Sequence, residues 1–439
     1  MEIKNNYKFF SFILILLSLF SFFFGFYLDE NSAGGGSYLG DWVFLWPNLK
    51  LFINNDFYTA ITHENFQTNR PPLLYILHAS LNPFVDNAIT YRRSVFVLSL
   101  SIPVLFYFCL KQKFKEKDNL LLILVASTIF LSPYFRTSSF WGLEENYGII
   151  FLLLTYLFLN FFLENKKEYN YKIYFQLFLL TFFSSLCIYF DQKLLIIPII
   201  SFLTIMTSKK RIGIKLFSIC FYVIFSLPYI YLIMLWGGIF PIQLTVSRNL
   251  MGQFYLEHLG YASTIIAFYF VPFLLFKGKN LFLEIKKFFL EKNNYYLILL
   301  FLIYIFYFLI LSIFLNQSPL NIEIAVGKGF IHKFSFLLFG DNFIIREAFI
   351  YFSFIISWLI ILIFDDKNFK NSMILLYFFL VSIVTAPLMQ EYFDPLILIL
   401  TLTFFSSKIF INYKNATILF FYFAVFLAGS NIYYYNLLS

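Results

Sequence analysis

Long apolar runs almost free of charge recur along the whole chain, and they constrain its fold more than any other feature. The first run covers residues 9–28, and twelve more follow before residue 431. A run of about 20 apolar residues spans a bilayer as a helix, because lipid cannot satisfy unpaired backbone N–H and C=O groups. Only 13% of the 439 residues are charged, against about 25% in a soluble domain. The sequence therefore predicts an all-α polytopic membrane protein.

We predict thirteen transmembrane helices, and we expect the first to be an uncleaved signal anchor because its apolar run is long for a cleavable signal peptide. The predicted spans are residues 9–28, 94–110, 120–135, 147–163, 173–190, 194–207, 216–235, 260–276, 297–315, 347–364, 372–388, 395–406 and 416–430.

The charges are distributed unevenly between the two sides that these spans define. With the N-terminus inside, the inner segments contain 22 of the 32 Lys and Arg residues but only 9 of the 24 Asp and Glu residues. Basic residues favour the cytoplasmic side of a membrane. The formal net charge of +8 thus follows from topology, and we predict no nucleic-acid partner. The three long outer segments, 29–93, 237–259 and 316–346, are the places where we expect function.

The first outer segment is too polar to be a span. In GDWVFLWPNLKLFINNDFYTAI, residues Trp42, Leu45, Leu49 and Phe52 recur at near-helical spacing, which predicts an amphipathic helix in the membrane interface. In the following THENFQTNRPPLLYILHASL, the Pro71-Pro72 pair predicts the start of a second short helix.

These motifs resemble the GT-C glycosyltransferases, the multi-span enzymes that include protein O-mannosyltransferases and the aminoarabinose transferases of lipid A. In that superfamily an acidic residue and interfacial helices follow the first span, and a basic-Pro or Pro-Pro motif comes next. Here Asp41 and Arg70-Pro71-Pro72 match those positions. The segments LSPYFRTSSFWGLEENYGIIFLLLTYLFL, YFDQKLLIIPII and MQEYFDPLILIL resemble later family segments. We treat residues 1–439 as one domain, with a GT-C-like half over 1–210 and a variable half over 211–439.

The resemblance implies that a sugar is moved from a polyprenyl-phosphate donor to a lipid, glycan or protein acceptor on the exoplasmic face, with inversion. A general base takes the proton of the attacking hydroxyl, and cations stabilise the departing phosphate. The candidate catalytic residues are Asp41, Glu144 and Glu145, and the candidate phosphate-binding residues are Arg70, Arg136 and Lys193, with Arg248 as a further cation. The piece AGGGS lacks a nucleotide-binding context, so we predict no nucleotide cofactor.

Each of these assignments has an alternative. The family pattern has two adjacent acids, and Asp29-Glu30 is the adjacent pair here, so either of those residues is a rival base to Asp41. Asp41 also fits a helix N-cap, and Arg70 fits a side chain that extends to the lipid headgroups. A divalent ion held by Glu144 or Glu145 with Asp41 stays open. The four histidines lack metal-ligand spacing and favour structural roles.

Two other functions compete with the transferase. An O-antigen polymerase or ligase relies on a large, Arg-rich late loop, whereas residues 316–346 contain only Lys328, Lys333 and Arg346. A transporter or lipid-linked oligosaccharide flippase needs polar residues within its spans, and the spans here are almost free of charge.

Richness in Lys, Asn, Ile and Phe indicates an AT-rich bacterial genome. We therefore expect the protein in the inner membrane, with its site on the periplasmic side. The sequence gives no oligomeric state.

Overall fold

The structure is a computed structural model. It describes residues 2–33, 40–68, 70–165, 171–241, 244, 254–276, 281–291, single positions between 295 and 310, 329–365, 368–385, 388–406 and 409–438. Throughout these ranges every regular element is a helix, as the sequence predicts.

The α-helices, numbered in chain order, are α1 (Glu2–Tyr27), α2 (Asp41–Asn54), α3 (Phe57–Thr62), α4 (Leu73–Leu81), α5 (Ala88–Ser99), α6 (Ser101–Lys113), α7 (Asn119–Ser127), α8 (Pro133–Trp141), α9 (Glu145–Glu164), α10 (Tyr171–Phe190), α11 (Ile196–Thr207), α12 (Ile212–Trp236), α13 (His258–Phe276), α14 (Leu281–Leu290), α15 (Gly329–Phe339), α16 (Phe343–Phe364), α17 (Phe369–Val384), α18 (Leu396–Leu402) and α19 (Tyr413–Leu438). Short 3₁₀ turns cover Thr128–Leu131, Gln192–Leu195 and Gln390–Tyr392.

Seven helices in the described ranges are long and apolar enough to cross a membrane, with α5 and α6 counted as one, and the number becomes eight if a bent pair forms one span. That pair joins Asn119–Leu131 to Pro133–Trp141 at 69°. A multi-pass membrane protein is therefore confirmed, whereas the count of thirteen spans is not. The predicted spans at 194–207, 260–276, 372–388 and 395–406 overlap shorter helices, and most of 297–315 lies outside the described residues.

The chain folds as two compact units, Met1–Leu250 with Ala416–Ser439, and Met251–Asn415. In the first unit, α9 packs along α10 and α6, and α1 packs along α7. In the second unit, α13 is the central helix and contacts α15, α16, α17 and α18. The predicted division into functional halves at residue 210 stays a prediction.

Helix α2 begins at Asp41 and buries the apolar stripe that the sequence predicts. Trp42, Leu45, Leu49 and Phe52 are all buried, and the Phe52 ring stacks on Tyr75 of α4 with ring centroids 5.7 Å apart. The helix is confirmed, but this stripe packs on the protein. Its position in a membrane interface stays a prediction.

The turn between α8 and α9 is fixed by a helix cap and one glycine. Ser132 caps α8 by accepting a hydrogen bond from the Phe135 N–H at 3.1 Å, and Gly142 ends α8 in the left-handed region at φ +73°. The Tyr91 hydroxyl donates to the Gly142 carbonyl at 2.9 Å. A Cβ at position 142 would lie 2.7 Å from the Tyr91 ring, so only glycine fits this turn.

Gly142→Ala should destabilise the folded protein by about 1–3 kcal/mol through backbone strain, and the contact with Tyr91 adds to that cost. The matched control is Gly429→Ala in α19, where an added Cβ meets no atom within 4 Å. That change should be neutral or stabilise by up to about 1 kcal/mol, since it improves helix propensity. Thermal unfolding of the two variants in detergent tests this, and equal midpoints would contradict it.

Candidate functional site

Arg70 lies between the carboxylates of Glu144 and Glu145 and joins the first outer segment to the start of α9. Its Nη1 donates to Glu144 Oε2 at 2.7 Å, and its Nη2 donates to Glu145 Oε1. Both carboxylates are buried, and 18% of the Arg70 side chain is exposed. Residues 70, 144 and 145, which are far apart in sequence, thus meet at one place.

The approach of the chain to Arg70 is fixed by one buried amide. Asn48 on α2 donates from Nδ2 to the Gln67 carbonyl at 2.9 Å and accepts from the Gln67 N–H at 3.1 Å. The two bonds hold the extended segment around Gln67 in the way that a neighbouring β-strand would. Thr68 Oγ1 then accepts from the Arg70 N–H at 3.2 Å, and Pro71-Pro72 begins α4. The basic-Pro motif is therefore held on the protein, and the alternative that Arg70 extends to headgroups has no support from its contacts.

Glu144 and Glu145 have further partners on α4 and α8. The Tyr75 hydroxyl donates to Glu144 Oε1 at 3.2 Å, and Ser138 Oγ donates to Glu145 Oε2 at 3.5 Å. Burial raises the pKa of Glu144, although the charge of Arg70 opposes that shift. These acids are held in place by neighbours and are not freely solvated.

The turn between α10 and α11 contributes one acidic residue, Asp191, and one basic residue, Lys193. Asp191 Oδ1 accepts from the Lys193 N–H at 3.1 Å, and Lys193 Nζ lies 3.0 Å from Asp191 Oδ2. Lys193 acts electrostatically on Glu145, and Asp191 on Arg70. The two residues thus form a local ion pair that is near enough to Arg70 and Glu145 to act on them electrostatically.

Asp41, at the first turn of α2, completes the group. It is half-buried, and burial raises its pKa to about 7, with Glu145 and Glu144 adding to the shift and Arg70 opposing it. Gly40 holds the N-cap position of α2 without a side-chain cap bond, so Asp41 is not the cap. We call Asp41, Arg70, Glu144, Glu145, Asp191 and Lys193 the Arg70 cluster.

Arg136, the remaining phosphate-binding candidate, lies elsewhere in a saturated clamp. All five of its N–H groups have acceptors: both oxygens of Glu30, the Ser21 carbonyl and hydroxyl, and the Phe130 carbonyl. Its side chain is 1% exposed, and Gly25 leaves room for the pair. The structure therefore does not bring Arg136 into the Arg70 cluster, and it pairs the rival base Glu30 with this arginine.

Asp29, the other rival base, forms a separate ion pair. Its Oδ1 accepts from Arg92 Nη2 at 2.5 Å, and 63% of its side chain is exposed. Arg92 also lies over the Trp141 ring, 3.8 Å from the centroid. The adjacent acids at the end of the first span thus bind two different arginines.

In the described ranges, no three His, Cys, Asp or Glu side chains are grouped so that they could hold a metal ion. Arg248 and Lys328 lie outside the described residues. Asn48 and Tyr75 were not predicted as site residues from the sequence. The one indication of them there is a polar group within a short apolar helix.

Together, the fold and the Arg70 cluster define a multi-pass membrane protein with a partly buried, charged site at the ends of its helices. The chain matches no family model, no curated protein and no solved structure. Its resemblance to GT-C glycosyltransferases therefore stays a prediction that rests on the residues themselves.

The two adjacent acids should differ in their importance for stability. Glu30→Gln leaves the buried Arg136 charge uncompensated and should cost about 3–5 kcal/mol of folding free energy. Asp29→Asn removes an exposed partner and should cost at most about 1 kcal/mol. Thermal unfolding in detergent compares them, and equal losses would contradict the assignment of Arg136 to a structural clamp.

Proposed function

We propose that this protein is a GT-C-type glycosyltransferase that moves a sugar from a polyprenyl-phosphate donor to an acceptor hydroxyl on the exoplasmic face. The proposal includes the thirteen-span topology with the acidic segments outside, and a periplasmic site in a bacterial inner membrane. The sequence resemblance and the geometry of the Arg70 cluster support it.

The observation that carries the proposal is the unfilled hydrogen-bonding capacity of Arg70. A guanidinium has five N–H groups, and in the described chain Arg70 uses two of them, one on each glutamate. Three N–H groups on a largely buried cation are left for a ligand, whereas Arg136 has none left. Leaving charged donors unsatisfied is costly, and phosphate oxygens suit an arginine fork.

The acids of the cluster suit the sugar that such a phosphate would carry. Two cations face four carboxyl groups, so the cluster presents both N–H donors and an excess of oxygen acceptors. Sugar hydroxyls donate hydrogen bonds to carboxylates, and phosphate oxygens accept them from Arg70 and Lys193. A glycosyl phosphate satisfies both sets of groups at once.

Asp41 is the general base in this mechanism. The acceptor oxygen attacks the anomeric carbon while its proton passes to the Asp41 carboxylate, and the bond from that carbon to the phosphate oxygen breaks on the opposite face. The polyprenyl phosphate leaves with the electron pair, and Arg70 and Lys193 stabilise its added charge. A base with a pKa near the working pH is effective for such proton transfer, and the pKa of Asp41 is about 7.

Asp41→Asn should lower kcat about 10²–10⁴-fold, the usual contribution of a general base. Wild-type activity should rise as the pH passes about 7, because only the ionised carboxylate accepts the proton. The matched control is Asp56→Asn at the exposed N-cap of α3, where Asn caps as well as Asp and activity should stay within about twofold. Full activity of Asp41→Asn alongside a folded but inactive Glu30→Gln would make Glu30 the base.

The same substitution should leave a signature in stability. The folded-state pKa of Asp41 is raised from 3.8 to about 7, so its ionisation costs the folded state stability as the pH rises through about 7. The loss accumulates between pH 3.8 and about 7, so Asp41→Asn should melt at a higher temperature than wild type at pH 8, by a larger margin than at pH 5. Thermal unfolding at both pH values tests this, and a variant less stable at pH 8 would contradict it.

Arg70 should decide whether the phosphate of the sugar donor is held. Arg70→Lys keeps the charge but loses the fork, and kcat/KM for a polyprenyl-phosphate sugar should fall about 10–100-fold, corresponding to one charge-assisted hydrogen bond of about 1.5–3 kcal/mol. Arg70→Ala should be worse, and Arg93→Ala, an exposed arginine, should be neutral. Purified protein with labelled sugar donors and crude lipid acceptor tests this. Transfer from a nucleotide sugar without a lipid carrier would overturn the mechanism.

A further inference from the structure

Beside the Arg70 cluster, α4 and α9 are joined by two parallel pairs of side chains. Tyr75 and His78 lie three residues apart on α4, and Glu144 and Tyr147 lie three residues apart at the start of α9. Tyr75 donates to Glu144 at 3.2 Å, and His78 Nε2 lies 2.6 Å from the Tyr147 hydroxyl. The mechanism above uses Glu144 but gives no role to the His78–Tyr147 pair.

The hydrogen bonds around Asn82 fix the position of the proton on His78. The Phe84 N–H donates to Asn82 Oδ1 at 2.9 Å, which identifies the oxygen of the amide. Asn82 Nδ2 therefore donates to His78 Nδ1 at 2.8 Å and to Ser94 Oγ at 2.9 Å, and Ser94 donates onward to the Tyr91 carbonyl at 2.7 Å. Since Nδ1 accepts, the neutral ring carries its proton on Nε2.

His78 is neutral at physiological pH. Burial lowers its pKa to about 4, because a charged imidazole is poorly solvated among the surrounding rings. The rings of Tyr91 and Tyr147 meet it edge-on, with centroids at 4.8 and 5.4 Å. The Nε2–H group thus donates to the oxygen of Tyr147.

The Tyr147 hydroxyl is therefore an acceptor toward His78, and its own proton points elsewhere. Within the described chain that proton has no acceptor: His78 is the one hydrogen-bond partner of this hydroxyl, and the side chain is 7% exposed. Glu144 acts on it electrostatically, but no hydrogen bond joins the two side chains, and the Glu144 carboxylate accepts from Tyr75 and Arg70 instead. Buried hydroxyls seldom lack an acceptor.

We propose that the Tyr147 hydroxyl donates a hydrogen bond to an oxygen atom of the bound sugar phosphate, and that Asn82 and His78 keep its proton available for that purpose. Tyr147 is thus a substrate-binding residue, and His78 and Asn82 are positioning residues. The proposal rests on the function proposed above.

Two substitutions test it by different routes. Tyr147→Phe removes the hydroxyl, and kcat/KM for the polyprenyl-phosphate sugar should fall about tenfold, as expected for one hydrogen bond. Asn82→Asp keeps the hydroxyl but turns the donor into an acceptor, so the proton of His78 moves to Nδ1, and Nε2 then accepts a hydrogen bond from the Tyr147 hydroxyl. At pH 8.5 this variant should show the same tenfold loss. The matched control is Asn87→Asp, an exposed N-cap of α5 at which Asp caps equally well and activity should not change.

Ring nitrogen signals of protein labelled with ¹⁵N-histidine report the tautomer without using activity, and the chain has only four histidines. His78 should carry its proton on Nε2 in the wild type and on Nδ1 in Asn82→Asp. A wild-type signal with the proton on Nδ1 would overturn the proposal, and so would full activity of either variant. A purely structural role for Tyr147 predicts that Asn82→Asp, which preserves the bond to His78, stays fully active.

Loss of the Tyr147 contact and loss of sugar transfer can be told apart. If the wild type transfers sugar from the lipid donor and Asp41→Asn is inactive, but Tyr147→Phe matches the wild type, only the role of Tyr147 is wrong. If the wild type neither binds nor uses the polyprenyl-phosphate sugar, the proposed function is wrong and the substrate contact is overturned with it. The tautomer of His78 is then still measured by the nitrogen signals.

Discussion

The contact of Arg70 with Glu144 and Glu145 is the interaction on which the rest of the site depends. It ties the segment after α2 to the N-terminal end of α9, so residues 74 positions apart share one environment. Two buried carboxylates beside each other repel, and the guanidinium between them offsets that repulsion. Without Arg70, Glu144 and Glu145 would keep only their bonds to Tyr75 and Ser138. The pKa of Asp41 would also lose the main charge that lowers it.

The fully buried Arg136 and the partly buried Arg70 differ in how many of their N–H groups have acceptors. Arg136 has an acceptor for every N–H group and binds Glu30 against α1, where Gly25 leaves room for it. Arg70 is left with three N–H groups that have no acceptor in the described chain. The saturated hydrogen bonds of Arg136 fit a structural ion pair, and the three remaining N–H groups of Arg70 are the ones that we propose bind a ligand. The number of N–H groups without an acceptor therefore distinguishes Arg70 from Arg136, although both carry the same charge.

The helical fold and much of the candidate site could be predicted from sequence, for physical reasons specific to each part. Apolar runs locate helices because a single segment in lipid satisfies its backbone hydrogen bonds by forming a helix. The Pro71-Pro72 pair predicts the start of a short helix, and α4 begins at Leu73. The number of spans could not be predicted in the same way, since short helices such as α18, with seven residues, have the composition of a span but not its length. Five of the seven site candidates meet in one cluster, and Arg248 lies outside the described residues. Arg136 does not join the cluster, because its N–H groups bind Glu30, Ser21 and Phe130 instead.

The directions of the hydrogen bonds in the site could not be predicted from the sequence. Asn48, Asn82 and Tyr147 have no motif, and each matters only through the partner that folding brings to it. An amide can donate or accept, and the Phe84 N–H selects which atom of Asn82 faces His78. Asn82 thereby sets which nitrogen of His78 faces Tyr147 with a proton. An Asn-to-Asp change that appears conservative in sequence would reverse every proton position from Asn82 to Tyr147. A site built from such bonds is specified by geometry, and its chemistry follows from counting donors and acceptors.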